Sequence, residues 1–150
     1  MKLALGNDHA GYPIKDFVLQ LLRSWNHTVK DCGSFSPEPV DFPDIAMLVG
    51  NEIKSGRAER GIMICGTGEG TVMAGNKIHG IRAALCHDLY CAHQCVEDDN
   101  ANMLCFGAQI IGPAIVKDVL TNFLTAKFST GEEFRRRVRK LDMMDLLVPK

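Results

Sequence analysis

The sequence predicts a single α/β domain, a three-layer Rossmann-like arrangement in which a five-stranded parallel sheet carries helices on both faces. Short apolar runs alternate with amphipathic segments along the whole chain, which is the pattern of repeated strand–helix units. The turns between them are short and contain glycine and polar residues. The 150 residues, 46% of them hydrophobic, are enough to build one core, and no repeat or linker divides them. We therefore expect one domain over residues 1–150.

Composition narrows the class of partner. The formal net charge is −1 and the pI is about 6.5, so bulk electrostatics do not favour nucleic acid. No apolar stretch is long enough to cross a bilayer, and residues 1–6 become polar too soon for a signal peptide. We expect a cytoplasmic protein with no membrane partner. In that compartment the six cysteines stay reduced, and most serve as small apolar fillers.

The first half of the chain predicts two strands and two helices. Residues 2–6 form a strand, residues 7–11 a turn, and residues 13–26 an amphipathic helix with Pro13 in its first turn. A second strand covers residues 28–32. After a proline-containing loop over 34–43, a helix extends to about residue 55. The side chains predicted to face inward from the two helices are Ile14, Phe17, Val18, Leu21, Leu22, Trp25, Ile45, Leu48, Val49 and Ile53.

The second half continues the alternation. A third strand ends at Cys65, and the helix after it stops at Gly80. Residues 81–86 and 103–106 form the fourth and fifth strands, separated by a helix over about 88–97. A further helix starts at Gly112-Pro113, and a last one covers about 131–146. That last helix has an apolar stripe among cations, so we expect it to dock on a partner subunit; the stripe is Phe134, Val138 and Leu141.

A glycine loop after the third strand is the strongest candidate site. The apolar run ends at Cys65, and Gly66, Gly68 and Gly70 follow on alternate positions before a helix. Such a junction directs backbone N–H groups and a helix dipole to one point, which favours an anion and a cysteine thiolate there. A tight turn with a buried cysteine is the simpler interpretation. The spacing matches neither a dinucleotide fingerprint nor a P-loop.

Two other groups of polar residues are weaker candidates. Asp8 and His9 follow the first strand, where open α/β sheets bind ligands, but the residues alone favour a helix cap or turn residue for Asp8 and a solvated imidazole for His9. His87, Cys91 and Cys95 recur every four residues, as on a soft-metal face. A fourth ligand is not evident and buried thiols need no metal, so we predict no metal site.

The motifs of the chain resemble those of ribose-5-phosphate isomerase B, in the wider RpiB/LacA/LacB group of sugar-phosphate isomerases. The resemblance covers about residues 1–141. It implies an aldose–ketose isomerase without cofactor or metal, of the pentose phosphate pathway type, and a homodimer or homotetramer with active sites completed across the dimer interface. The motifs that carry it are Asp8-His9-Ala10-Gly11, Asp41-Phe42-Pro43-Asp44, Cys65-Gly66-Thr67-Gly68-Glu69-Gly70, Ala74-Gly75-Asn76-Lys77, Gly80-Ile81-Arg82-Ala83-Ala84-Leu85-Cys86-His87-Asp88, Asn100-Ala101-Asn102, Ile111-Gly112-Pro113 and Arg136-Arg137-Val138.

The resemblance also implies roles for individual residues. Cys65 would be the base that moves a proton from C2 to C1 of an opened aldose phosphate through a cis-enediolate. Thr67 and the amides of the loop would hold the enediolate oxygens, and Asp8 and His9 would contact the sugar or its phosphate. The loop amides are those of Gly66, Gly68, Glu69 and Gly70. Asp98 would stand in for the acid/base that opens the ring, with Asp99 and Arg137 beside the substrate.

The chain departs from the pattern of that family at several of these positions. The resemblance leads us to expect His-Asn at Asp98-Asp99, arginine at Gln109 and Glu133, tyrosine at Phe42, and an apolar or neutral residue at Glu69. Carboxylates therefore replace cations where a phosphate would bind, and like charges weaken that binding. Ribose 5-phosphate is the first expectation, with a tetrose or hexose substrate, or a non-catalytic sugar-binding subunit of a hetero-oligomer, as alternatives.

Overall fold

Strands and helices alternate along the chain, as the sequence predicts. The computed structural model describes residues 1–147, and the expected domain extends beyond them only by residues 148–150. The strands are β1 (Lys2–Asn7), β2 (Thr28–Asp31), β3 (Arg60–Cys65), β4 (Ala83–Leu85) and β5 (Met103–Gly107). The helices are α1 (Tyr12–Ser24), α2 (Phe42–Lys54), α3 (Glu69–Gly75), α4 (Leu89–Glu97), α5 (Pro113–Thr125) and α6 (Glu132–Leu147).

The five strands form one parallel sheet in the order β2-β1-β3-β5-β4. The register pairs Asn7 with Ile64 and Cys65 with Gly107. Three strands of the centre therefore end side by side, because parallel strands share one carboxyl edge. Ligands of open α/β sheets bind at this edge, so the register determines which loops can form a site.

The sheet is covered on both faces, which confirms the three-layer prediction. Strand residues alternate between two cores: Leu5, Ile64 and Phe106 face α1, α4 and α5, whereas Met63 and Cys105 face α2 and α3. All five of these side chains are fully buried. Burial on both faces explains why the central strands are continuous apolar runs. The loops at the carboxyl edge of the sheet therefore start from strands that are packed on both faces.

The structure corrects three details of the prediction. Leu48 and Phe17 were expected to face inward, but they are 51% and 38% exposed. The α2 helix instead buries Ala46, Val49 and Gly50, because it packs so closely on the sheet that a Cβ on Gly6 would lie 2.7 Å from Val49. The α1 helix buries Val18, Leu19 and Leu22 in place of Phe17. The fourth strand is also shorter than predicted: only Ala83–Leu85 pair with β5.

The last helix packs on its own chain through polar contacts. Arg82 donates to the Asp142 carboxylate at 2.9 Å, and the N–H of Gly80 donates to Asp145 at 2.9 Å. Val138 is buried, but Leu141 of the predicted stripe is 44% exposed. The exposed apolar residues of this helix are Leu141, Met143, Met144 and Leu146. Within residues 1–147, no helix has the length and hydropathy that a membrane span requires.

Candidate active site

Cys65 is the last residue of β3 and lies beneath the glycine loop. Its side chain is 5% exposed, and its Sγ accepts a hydrogen bond from the N–H of Gly68 at 3.0 Å. Gly68 adopts a φ of +88°, a conformation that glycine reaches without steric cost. This backbone turn aims the amide of Gly68 back at the sulfur. The loop therefore provides a donor to the sulfur, as the spacing of the glycines predicted.

A buried threonine supports the same loop from inside. Thr71, in the first turn of α3, is fully buried and donates its hydroxyl to the carbonyl of Gly68 at 2.9 Å. Its Oγ1 also lies 3.7 Å from the Sγ of Cys65. Sequence reasoning missed Thr71; the signal available was a hydroxyl residue three positions after Gly68, the spacing at which side chains bond the start of a helix.

The glycine loop lies on the ends of β4 and β5. A Cβ on Gly68 would lie 2.4 Å from Leu85, and one on Gly107 would lie 2.6 Å from the carbonyl oxygen of Gly66. The N–H of Gly107 donates to the Nε2 of His87 at 2.9 Å. Only glycine at both positions permits this approach, so the close packing of the loop depends on Gly68 and Gly107.

The turn after β1 brings Asp8 and His9 beside the same loop. The N–H of Asp8 donates to the carbonyl of Ile64 at 3.1 Å, which places this turn against the end of β3. Asp8 is buried, and its carboxylate accepts from the N–H of Gly11 at 2.9 Å. His9 is exposed, with its Nδ1 3.4 Å from the N–H of Val40. Asp8 thus closes the turn before α1, and the helix itself begins at Gly11 without a side-chain cap.

Gln109 and Phe42 lie on either side of the loop. The N–H of Gln109 donates to the carbonyl of Gly66 at 3.0 Å, and a Cβ on Gly70 would lie 2.8 Å from the Phe42 ring. Thr67 and Glu69 are exposed at the tip, and the N–H of Glu69 points to the Thr67 hydroxyl at 3.4 Å. A cavity of about 300 Å³ is lined by Phe42 and Gly70 among others. Cys65 does not line that cavity, so in one chain the sulfur is nearly covered.

Asp98, Asp99 and Arg137 lie at the opposite edge of the sheet. The α4 helix starts at the carboxyl edge and ends at Asp98, just before β5 begins. Nine helical residues span about 13 Å, so these carboxylates do not reach the Cys65 of their own chain. Asp98 accepts from Gln94 at 2.7 Å. Burial and the charge of Asp98 raise the pKa of Asp99, and the positive charge of Arg137 opposes that rise.

The predicted site residues therefore divide into two groups. One group gathers at the carboxyl edge and the other at the amino edge of the sheet. The first comprises Asp8, His9, Cys65, Gly66, Thr67, Gly68, Glu69 and Gly70; the second comprises Asp98, Asp99 and Arg137. Sequence reasoning proposed residues in both groups, but spacing along the chain does not show that one subunit keeps the two groups apart.

A hydrogen bond from the N–H of Gly68, not burial, distinguishes Cys65 from the other buried thiols. All six cysteines are free, and only Cys91 is exposed. Complete burial raises the pKa of Cys105 to about 12, so this neighbour of Cys65 stays a thiol at neutral pH. Cys95 lies 3.9 Å from Cys86 by their Sγ atoms and does not converge with His87 and Cys91. Across residues 1–147, no three His, Cys, Asp or Glu side chains are grouped to hold a metal ion.

Comparisons with known proteins agree with this architecture. The family described as Ribose/Galactose Isomerase matches residues 3–141. Ribose-5-P isomerase B of Listeria innocua is 41% identical, over 97% of this chain and 95% of the relative. D-erythrulose-4-phosphate isomerase of Pectobacterium atrosepticum is 38% identical, over 87% of each.

A solved structure shows the same likeness in three dimensions. Ribose-5-phosphate isomerase B of Clostridium thermocellum superposes with a TM-score of 0.95 and 38% identity, covering 97% of this chain and 98% of that one. The sequence motifs, the parallel sheet with its glycine loop and these matches over nearly the whole length lead to one conclusion. The chain belongs to the ribose/galactose isomerase family, the RpiB/LacAB group of sugar-phosphate isomerases.

Proposed function

We propose that the protein interconverts an aldose phosphate and its ketose, most specifically ribose 5-phosphate and ribulose 5-phosphate, with Cys65 as the base. The observation that carries the proposal is the contact of 3.0 Å between the N–H of Gly68 and the sulfur of Cys65. A hydrogen-bond donor aimed at a sulfur is suited to a group that alternates between thiolate and thiol. Proton abstraction next to a carbonyl requires a base that makes this change.

The reaction moves one proton between two adjacent carbons and a second proton between the oxygens that they carry. The Cys65 thiolate takes the proton from C2 of the open-chain aldose, and the electrons of that C–H bond form the C1–C2 double bond of a cis-enediolate. The proton of the C2 hydroxyl moves to the oxygen on C1, which becomes a hydroxyl. The Cys65 thiol then returns its proton to C1, and the oxygen on C2 becomes the ketone carbonyl. Negative charge develops on the oxygens, and preorganised donors lower its energy. In this proposal the donors are Thr67 and the amides of Gly66, Glu69 and Gly70. The amide of Gly68 is not among them, because it is directed to the sulfur of Cys65.

The rest of the substrate site requires a second subunit. Among residues 1–146, no lysine or arginine forms an ion pair or hydrogen bond with the glycine loop. The clustered arginines of the chain lie on α6 instead. One of them, Arg137, is close enough to Asp99 for its positive charge to oppose the rise in the pKa of that carboxyl. We propose a homodimer, or a tetramer of two dimers, in which Arg137, Asp98 and Asp99 of one subunit face the Cys65 of the other. Asp8 and His9 contact the sugar or its phosphate from the subunit that carries the base.

The size of the sugar is the open part of the proposal. Relatives of nearly equal identity are named for ribose 5-phosphate and for the four-carbon erythrulose 4-phosphate. Glu69, exposed at the tip of the loop, adds a negative charge that disfavours a dianionic phosphate nearby. Four-carbon and six-carbon sugar phosphates therefore belong in the same assay panel as ribose 5-phosphate.

Exchange of the substrate C2 proton tests the role of Cys65. The native protein and the Cys65→Ala variant are incubated with aldose phosphates deuterated at C2, and loss of the label to water is followed by NMR. Removal of a general base lowers the rate by about 10²–10⁴-fold. Cys91→Ala, at the exposed cysteine, is the matched control and retains the native rate. Undiminished exchange in Cys65→Ala contradicts the assignment, and no exchange in the native protein with any sugar favours a non-catalytic binding subunit.

A further inference from the structure

The geometry points to His87 as a positioning residue for the proposed reaction, acting on the Cys65 loop through Gly107. The inference rests on the proposed function, in which Cys65 is the base. His87 follows β4 and accepts the N–H of Gly107 at its Nε2, 2.9 Å away. The ring must therefore be neutral with its proton on Nδ1, since an Nε2 that carries a proton has no lone pair to accept.

The position of His87 follows from the shortness of β4. The N–H groups of β5 and of the residue after it alternate between the two neighbouring strands. Ala108, just beyond β5, donates to Cys65 on β3 at 2.8 Å, and Met103 donates to Arg82 at 3.2 Å on the side of β4. The N–H of Gly107 faces that second side, but β4 ends at Leu85 and supplies no further carbonyl. Because a buried N–H without an acceptor is costly, the imidazole replaces the missing strand residue.

Gly107 transmits the position of the imidazole to the catalytic loop. It is the register partner of Cys65, and a Cβ on it would lie within 2.6 Å of Gly66 and Thr67. Loop and strand end are thus in van der Waals contact, with no space for either to move alone. If Gly107 shifts, the amide of Gly68 loses its alignment with the sulfur.

Two rigid elements hold His87 itself in place. On one side, the N–H of Cys86 donates to the carbonyl of Cys105 at 3.0 Å, which continues the β4 pairing by one bond. On the other side, Asp88 caps α4 by accepting from the N–H of Cys91 at 2.8 Å. The backbone on both sides of His87 is fixed, so its ring nitrogen serves as a stable reference for the loop.

Three substitutions at His87 separate positioning from general support of the fold. His87→Gln keeps an acceptor that reaches the place of Nε2, whereas His87→Leu has similar size and no acceptor. His87→Asn is polar but too short to reach Gly107, and it replaces the leucine variant if that variant does not fold. One lost hydrogen bond corresponds to roughly a 3–10-fold fall in kcat. We expect KM to change by less than about twofold, because the Nε2 of His87 bonds Gly107 and His87 is not one of the proposed substrate contacts.

We expect kcat to fall in His87→Leu and His87→Asn and to recover in His87→Gln. The thermal unfolding midpoint of each variant is measured as well, to separate a loss of stability from a loss of positioning. Equal kcat in all variants, or an equal loss in the glutamine and leucine variants, overturns the inference. The rate of Cys65 alkylation by iodoacetamide, followed by peptide mass spectrometry, supplies a readout independent of turnover. If the native protein isomerises no sugar, the proposed function fails. A several-fold change in the rate of Cys65 alkylation in His87→Leu, restored in His87→Gln, still supports positioning by His87.

Discussion

Two cysteines on neighbouring strands show how burial decides chemistry at the scale of one residue. Cys65 and Cys105 both lie near the Thr71 hydroxyl, yet Cys105 is completely buried and its pKa rises to about 12. Cys65 ends its strand, receives the Gly68 amide and retains a small exposed surface. Sequence alone distinguishes the two only by the glycines that follow Cys65.

Thr71 offers a test of the support beneath the loop. Thr71→Val keeps the shape but removes the hydroxyl bond to Gly68, so we expect unfolding free energy to fall by about 1 kcal/mol. The Gly68 carbonyl keeps the N–H of Val72 at 3.0 Å, which limits the loss. Because the loop then loosens around Cys65, kcat falls about 3–10-fold.

Thr71→Ser is the control for this variant. It retains the hydroxyl and gives up one buried methyl group, so it loses stability but keeps kcat close to the native value. Urea unfolding and isomerase kinetics measure the two effects separately. Equal kcat in the serine and valine variants would show that the hydroxyl does not position the loop.

At the scale of elements, the exposed edge of the sheet is blocked by a side chain. The amide of Asn76 donates to the carbonyl of Ala83 and accepts its N–H, both at 2.9 Å. An asparagine thus takes the place of a further strand beside β4. Unpaired edges promote association with other chains, so this contact also restricts the sheet to five strands.

The loop between β3 and α3 depends on the positive φ of Gly68 and on the lack of a side chain there. Comparison with Gly80 separates these two effects. Gly68 and Gly80 both have positive φ, of 88° and 80°, but only Gly68 is crowded. Gly80→Ala introduces the backbone strain alone, about 1–2 kcal/mol. Gly68→Ala adds overlap with Leu85, so we expect a further ~1–3 kcal/mol of destabilisation. Urea titration of both variants measures the difference, and equal losses would show that Leu85 moves aside freely.

At the scale of the whole molecule, the two groups of candidate residues predict shared active sites. Cys65→Ala and Arg137→Ala proteins are each expected to be inactive, since each lacks one half of every site. Co-expression produces mixed dimers in which one of the two sites is intact, so activity recovers to about a quarter of the native value. Isomerase assays of the co-expressed and separate proteins check this. If the activity of the co-expressed proteins is no higher than the sum of the separate variants, the active sites are not shared between subunits.

Buried thiols make the folded protein sensitive to alkali. Burial raises the pKa of Cys32 from 9.0 to about 11 and that of Cys105 to about 12. Above pH 9 the unfolded chain releases both protons while the folded chain keeps them. The stabilisation is complete below pH 9 and is lost as pH rises through 11 and 12, by up to ~2.7 kcal/mol per pH unit for the two thiols.

A Cys105→Ala variant tests how much of this pH dependence of stability comes from Cys105. In Cys105→Ala one of the two titrating thiols is absent, so the slope between pH 9.5 and 11 is shallower by ~1.4 kcal/mol per pH unit. Denaturant unfolding at a series of pH values measures the slope independently of the starting stability. Parallel curves for the native protein and the variant would show that Cys105 does not carry the effect.

Much of the fold was predictable because apolar periodicity is a local property. The continuous runs at Ile62–Ile64 and Leu104–Phe106 predict central strands, since a strand covered on both faces excludes polar residues. The glycines at 66, 68 and 70 predict the loop over Cys65. Leu48 was mistaken because close helix–sheet contact at Gly6 and Gly61, not local hydrophobicity, selects which face of α2 is buried. The ends of β4 were mistaken because pairing with β5, which depends on the register of the sheet, limits that strand to Ala83–Leu85.

The sequence by itself determined the layers of the fold, the cysteine at the tip of β3 and the glycines that bend the chain above it. Only the tertiary structure decided that Thr71 and His87 support that loop and that Asp98, Asp99 and Arg137 lie at the far edge of the sheet. The physical reason is that strand and helix patterns arise from neighbours along the chain, whereas the distance between two loops depends on the register and direction of the elements that separate them.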